Sequence, residues 1–276
     1  MRGLERAGYV IGRDVDIDFS SVGIGIARLT DRARMLVGSS ISVIVVLSTL
    51  GAWAARRATT SIPIVMVGAA DPVEEGLVES LSRPGGNVTG LAVPSGQLVA
   101  KQIELLLQIR PTVARVAVLW DPSARQAEQL TRIEAALQPL GVRIHRIELS
   151  NPLDTEKALT AVTEARADAL LGLDHLANTT MRRDIALFAL RARLPTVTST
   201  TGVALSGALI AYGPALSDLF EGAAGYVARI LGGAKPSQLP IEEPKRFHLT
   251  LNLTTAKILG VTIPPSLLAR ADQIIE

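Results

Sequence analysis

The sequence predicts an α/β protein built on parallel sheets, with its strands in two sets. Three observations predict it. Short apolar runs rich in Val, Ile and Leu recur without period-two alternation. Stretches with helical spacing of apolar residues lie between them. Strand and helix follow one another in regular order. Apolar runs without alternation suit parallel strands covered on both faces, and βα repetition implies right-handed crossovers. A length of 276 residues fits about two domains.

Strands are predicted at 14–19, 41–47, 62–68, 87–93, 115–120, 143–149, 167–173, 195–199 and 208–212. Between them, 97–109 places Leu98, Val99, Ile103, Leu106 and Ile109 roughly on one face. The segment 123–140 does so with Leu130, Ile133 and Leu137, and 179–193 with Met181, Ile185, Phe188 and Ala189. Residues 217–231 carry Phe220, Ala224, Val227 and Leu231 at the same spacing. Asp154, Thr179 and Ser217 stand where N-caps belong, and Gly141 and Gly232 where helices stop. Pro94-Ser95-Gly96 is a plausible crossing between the two sets of strands.

Composition removes several classes of function. Lys and Arg total 28 against 26 Asp and Glu, a net charge of +2, which excludes a strongly basic nucleic-acid binder. Aromatics are 3%, against stacking on single-stranded nucleic acid. The absence of cysteine excludes thiol catalysis, disulfides and Cys-ligated metal. Three histidines, His145, His175 and His248, form no His-x-x-x-His pair, so no metal site is expected. The start is charged and polar and does not read as a signal peptide. The apolar stretch 41–55 is shorter than the roughly 20 residues of a membrane span.

In open parallel sheets, ligands bind beyond the carboxyl ends of the strands. Those ends carry small polar residues: Ser48 and Thr49, Asp71, Ser123, Asp174 with Asn178, and Thr200. Each also suits a helix N-cap, and the two roles are compatible, because a helix start offers free N–H groups to an anion. The four-residue spacing of Asp174 and Asn178 can turn both side chains into one cleft. Gly23-Ile24-Gly25 lacks the third glycine of a dinucleotide loop, since position 28 is arginine. No Walker A sequence, no G-x-S-x-G elbow and no nucleophile–base set is present, so neither a catalytic residue nor a cofactor is expected. Trp120 and Tyr212 end strands, where each can serve as core or as cleft wall.

Several motifs resemble those of ABC transporter substrate-binding proteins of the tryptophan/tyrosine type. They are Asp71-Pro72-Val73, Gly76-Leu77-Val78 and the run Ser80-Leu81-Ser82-Arg83-Pro84-Gly85-Gly86-Asn87-Val88-Thr89-Gly90-Leu91. Others are Ala117-Val118-Leu119-Trp120-Asp121-Pro122, Tyr212-Gly213-Pro214, and Ile263-Pro264-Pro265-Ser266-Leu267-Leu268-Ala269-Arg270-Ala271-Asp272. The resemblance implies a type I periplasmic binding fold of two Rossmann-like lobes with a solute in the cleft. By position, lobe one would span 1–93 and 201–243, and lobe two 94–200 and 244–276. The stretch Gly3-Leu4 to Gly12-Arg13-Asp14 resembles one that in the family follows a signal sequence and a first strand. The resemblance therefore implies a chain lacking both. It also implies a non-enzymatic carrier of a small polar solute, an amino acid above all, with an ABC permease as partner and no nucleic acid. The location implied is periplasmic or membrane-anchored and extracytoplasmic; a genuine chain start without a signal peptide implies the cytoplasm instead. A cytosolic ligand-sensing domain of the same fold and a Rossmann-type enzyme are the alternatives.

Overall fold

Ile64, Val65, Met66 and Val67 are all fully buried, so the strand that carries them must be covered on both faces. The computed structural model, which describes residues 1–19, 26–120, 127–149, 154–172 and 181–276, shows how. The chain forms two units, Met1–Pro94 with Leu216–Lys245 and Ser95–Ala215 with Arg246–Glu276.

The first unit holds a parallel sheet of β1 (Ile44–Leu47), β2 (Ile64–Ala70) and β3 (Val88–Val93), in that order. Successive side chains of a strand point to opposite faces. Val65 and Val67 accordingly enter one core with Leu4, Leu219, Tyr226 and Val227, while Ile64 and Met66 enter another with Ala52, Ala55, Val88 and Ile241. The first core is roofed by α1 (Arg2–Arg6) and the helix Leu216–Leu231. The second is roofed by α3 (Ser48–Ala58), with α2 (Ile26–Val37) packed on it. The β2–β3 ladder shifts register between Met66 and Ala69. Gly90 allows this close approach: at φ 125° a Cβ there would lie 2.3 Å from the Met66 carbonyl oxygen. Tyr226 donates to the Pro240 carbonyl at 2.6 Å, and burial pushes its phenol up to about 12.

The second unit holds β4 (Arg115–Trp120), β5 (Arg143–Glu148), β6 (Ala169–Gly172), β7 (Thr196–Thr198), β8 (Ile210–Gly213), β9 (His248–Asn252) and β10 (Gln273–Ile275). Their order is β10-β9-β8-β7-β6-β4-β5, parallel except where β8 meets β9. Helices α4 (Ser95–Ile109) and α5 (Ala127–Leu137) press Ile103, Leu106, Leu130 and Ile133 onto Val116 and Val118. Gly141 caps the 3₁₀ turn after α5 in the left-handed region, at φ 68°.

Four expectations change. Residues 14–19 form no strand; Val15 makes one isolated bridge to Ile11, and Phe19 is 74% exposed. Among the described residues no other strand lies alongside this segment, and a strand needs such a neighbour to pair its backbone. Residues 201–215 lie in the second unit, not in lobe one, because β8 is hydrogen-bonded between β7 and β9. Strands β9 and β10 were not expected: β9 alternates polar and apolar residues rather than forming an apolar run, and β10 is three residues long and mostly exposed. Asp154 stands at the N-cap of α6 (Thr155–Glu164) without a side-chain capping bond, and Ser217 lies inside its helix.

Arginines hold three carboxylates of the second unit below their ordinary values. Arg115 does so for Asp168 by a bidentate pair, with help from the Ala114 and Arg115 backbone N–H groups. Arg146 does so for Glu134. For Asp272 the Leu249 N–H leads and Arg246 follows. A depressed folded value stabilises the fold above the unfolded carboxylate value, about 4, and that contribution is lost as pH falls through the folded value. The melting temperature is therefore expected to fall below about pH 4. Asp168→Asn should melt lower at neutral pH but show a shallower acid slope, measured by calorimetry across pH.

Candidate functional site

At the carboxyl end of the first unit's sheet, β1 runs into α3 at Ser48, and β2 runs into a turn at Asp71. Register places Leu47 opposite Val67, so both ends open on the same side of the sheet. Ser48 has φ 73° and Asp71 φ 42°. Two further non-glycine residues share this region, Arg166 and Arg193. Those two follow α6 and the helix Arg182–Arg191, where left-handed residues commonly end helices. Ser48 and Asp71 end strands instead, and such conformations cost of order 1 kcal/mol or more and gather at functional sites.

Thr49 fastens the two ends together. Its hydroxyl accepts from the Ala70 N–H at 2.8 Å and donates to the Ala70 carbonyl at 3.4 Å. It thereby sets the position of Asp71, the next residue, and its own polar capacity is largely engaged. The Ser48 hydroxyl accepts a long bond from the Gly51 N–H, 3.4 Å, and is half-buried. The turn after Asp71 closes by a Glu75 N–H bond to the Asp71 carbonyl at 3.0 Å and by an Arg56 bond to the Gly76 carbonyl. Trp53, beside Arg56 on α3, packs against the core below.

In the second unit, Thr200 ends β7 and stands at the N-cap of the short helix Thr201–Ala204. Its N–H meets Thr198 Oγ1 at 3.4 Å, and its carbonyl accepts from Val203 N–H. Sequence reasoning missed a cation here. A Cβ on Gly202 would lie 3.7 Å from Arg182 Nη1 and 3.9 Å from Thr200 Cγ2, so the guanidinium and Thr200 share one spot at the strand end. No motif marks Arg182; only the fold brings it to Gly202. Tyr212 is half-buried, stacks on Phe247 at 5.7 Å, and its carbonyl accepts from the buried Gln102 side chain at 2.8 Å. Trp120 packs against the core of this unit, and its buried indole N–H has no hydrogen-bond partner among the described residues. Ser123, Asp174, Asn178 and Gly23-Ile24-Gly25 lie outside the described residues. Among the described residues no three His, Asp or Glu side chains gather as a metal site.

Two α/β units on largely parallel sheets, with short polar side chains at the strand ends, have the architecture in which ligands bind beyond the strand ends. Comparison with known proteins gives the family. The description "ABC transporter substrate binding protein" matches residues 1–275, and the chain belongs to that family. It is 26% identical over 263 residues to the tyrosine-binding protein of Clostridioides difficile (strain R20291), covering 95% of this chain and 75% of that one. It superposes on a conserved domain protein from Vibrio cholerae O1 biovar El Tor with TM-score 0.92, 30% identity and coverage of 99% and 92%. An ABC domain from Streptococcus pneumonia in complex with L-Trp gives TM-score 0.92, 25% identity and the same coverage. The fold is thus that of the type I periplasmic binding proteins.

The left-handed backbone at Ser48 yields a stability test. Ser48→Gly should hold or raise the melting temperature, because glycine adopts φ 73° without a Cβ penalty. Ser48→Val should lower stability by about 1–2 kcal/mol, because a branched Cβ fits that conformation worst. Thr49→Val should cost about 1 kcal/mol through the lost bonds to Ala70. Thermal unfolding of the three variants measures all of this.

Proposed function

We propose that this chain captures an amino acid, or a closely similar small polar solute, at the carboxyl ends of its parallel strands and delivers it to an ABC permease. It works outside the cytoplasm and transforms nothing. The observation that carries this reading is the pair of left-handed residues, Ser48 and Asp71, at adjoining strand ends of a chain in this family. Two relatives support the ligand class, one named a tyrosine-binding protein and the other solved with L-Trp.

The chemistry fits. An amino acid offers an ammonium and a carboxylate. In the first unit Asp71 is a carboxylate of the kind that pairs with an ammonium, and in the second unit Arg182 beside Thr200 is a guanidinium of the kind that pairs with a carboxylate. Ser48 adds a hydroxyl, and Ser123, Asp174 and Asn178 complete the polar set proposed for the ligand. Charge-assisted bonds are worth roughly 1.5–3 kcal/mol each. No described helix is long and apolar enough to cross a membrane, so in this reading the permease supplies the membrane passage.

Calorimetric titration with L-tyrosine, L-tryptophan and L-leucine tests the reading. At least one should bind, and no product should appear on prolonged incubation. Failure of every amino acid to bind, with the protein folded, would overturn it. For the ligand that binds, Asp71→Asn is expected to weaken affinity by about tenfold or more. Arg182→Gln should weaken the free amino acid by a similar factor yet leave its carboxamide analogue almost unchanged, a contrast that lost stability alone cannot produce.

A further inference from the structure

Helix α3 grips the chain around Asp71 at two points. Near its start, the Thr49 hydroxyl bonds the N–H and the carbonyl of Ala70, the residue before Asp71. Near its end, the Arg56 guanidinium donates to the carbonyl of Gly76. Thr49, Trp53 and Arg56 stand at i, i+4 and i+7, which is one stripe of a helix. Roughly 10 Å of helix axis separates the two bonds. Between them Trp53 packs in the core that also holds Val73, Leu77 and Val78. The Arg56 guanidinium lies 5.9 Å over the Trp53 ring, a contact that narrows its freedom.

The turn held in this way is a closed unit. The Glu75 N–H donates to the Asp71 carbonyl at 3.0 Å, the Gly76 N–H to the Val73 carbonyl at 2.9 Å and the Leu77 N–H to the Pro72 carbonyl at 2.8 Å. Gly76 stands at φ 66°. The last two bonds around a left-handed glycine are the pair that closes helix ends, and here they close a single turn. A turn closed by its own bonds moves as one piece, so whatever fixes Gly76 also sets the backbone at Asp71. Asp71, at φ 42°, is in a conformation that its surroundings must hold. Arg56 and Gly76 are both exposed. Water could serve either group, so the bond between them is not needed to pair a buried atom. What it adds is position.

We propose that Arg56 is a positioning residue for the solute: through the Gly76 carbonyl it holds the turn that presents Asp71 to the ammonium of a bound amino acid. It acts through the turn and not on the solute. The inference rests on the reading of Asp71 as the carboxylate for that ammonium. With Thr49 holding the near side and Arg56 the far side, one helix sets both Ser48, at its own start, and Asp71.

Two measurements on the whole chain test it. In the free protein, hydrogen exchange of the Glu75 amide reports on the turn, because that N–H is bonded to the Asp71 carbonyl. Arg56→Ala should speed its exchange about threefold or more, with the Val65 and Val67 amides of β2 unchanged. Arg56→Lys, which keeps a cationic donor, should restore most of the protection. Unchanged exchange at Glu75 in Arg56→Ala overturns the proposal before any ligand is added. Calorimetric titration then compares whichever of L-tyrosine, L-tryptophan and L-leucine binds with its analogue lacking only the ammonium, 3-(4-hydroxyphenyl)propionate in the case of L-tyrosine. Arg56→Ala should weaken the amino acid about three- to tenfold and leave the analogue almost unchanged. In the Asp71→Asn background the same change should weaken binding no further, because the carboxylate it positions is gone. Equal weakening of both ligands, or full additivity with Asp71→Asn, overturns the proposal and leaves the reading of Asp71 standing. An Asp71→Asn variant that still prefers the amino acid over its analogue as strongly as the native chain overturns that reading and this inference with it, as does binding of none of the three amino acids.

Discussion

Parallel pairing of β2 between β1 and β3 is the constraint on which the first unit depends. A strand buried on both faces needs two cores, and the alternation of Ile64, Val65, Met66 and Val67 supplies one residue to each in turn. Parallel neighbours must also end on the same side of the sheet. That geometry, with the Thr49 bonds to Ala70, brings Ser48 and Asp71 to neighbouring strand ends. The polar ends then cost little, since helix starts and turns satisfy most of their backbone groups, and the Thr49 hydroxyl serves the Ala70 N–H that the ladder leaves over.

The second unit obeys the same rule across a wider sheet, with one exception that matters. Strand β9 runs antiparallel to β8. The chain returns to this unit at Arg246 after completing the first one, and the strand that follows runs against β8. That reversal explains why Gly213, at the end of β8, faces His248 at the start of β9, and why Tyr212 meets Phe247. Gly213 also allows the neighbouring β7 end to come close, since a Cβ there would lie 2.4 Å from the Ser199 carbonyl oxygen. Thr200 and the guanidinium of Arg182 lie next along the same strand end.

The first unit holds its two strained residues at its strand ends. Ser48 and Asp71 sit in a backbone conformation that side chains avoid, while the cores beneath them are tightly closed. The second unit concentrates its ionic stabilisation elsewhere, at the Arg115–Asp168 and Arg246–Asp272 pairs and the Arg146–Glu134 pair, none of which lies among the residues proposed for the solute.

Much of this was legible in the amino-acid order. Most of the eight strands located to within a few residues are apolar runs, because a parallel strand covered on both faces is apolar on both; β5, an edge strand, is the exception. The strand ends pointed to Ser48, Thr49, Asp71 and Thr200 because short polar residues at those positions must serve either a helix start or a ligand. What the sequence could not separate was which of these each one does. Only the fold shows that Thr49 is occupied with Ala70, that Asp71 is held at positive φ, and that Arg182 reaches Gly202 across twenty residues. Residues 14–19 show the reverse limit. Their local pattern is that of a strand, but a strand exists only where another backbone lies alongside to accept its hydrogen bonds, and that is decided by tertiary structure alone.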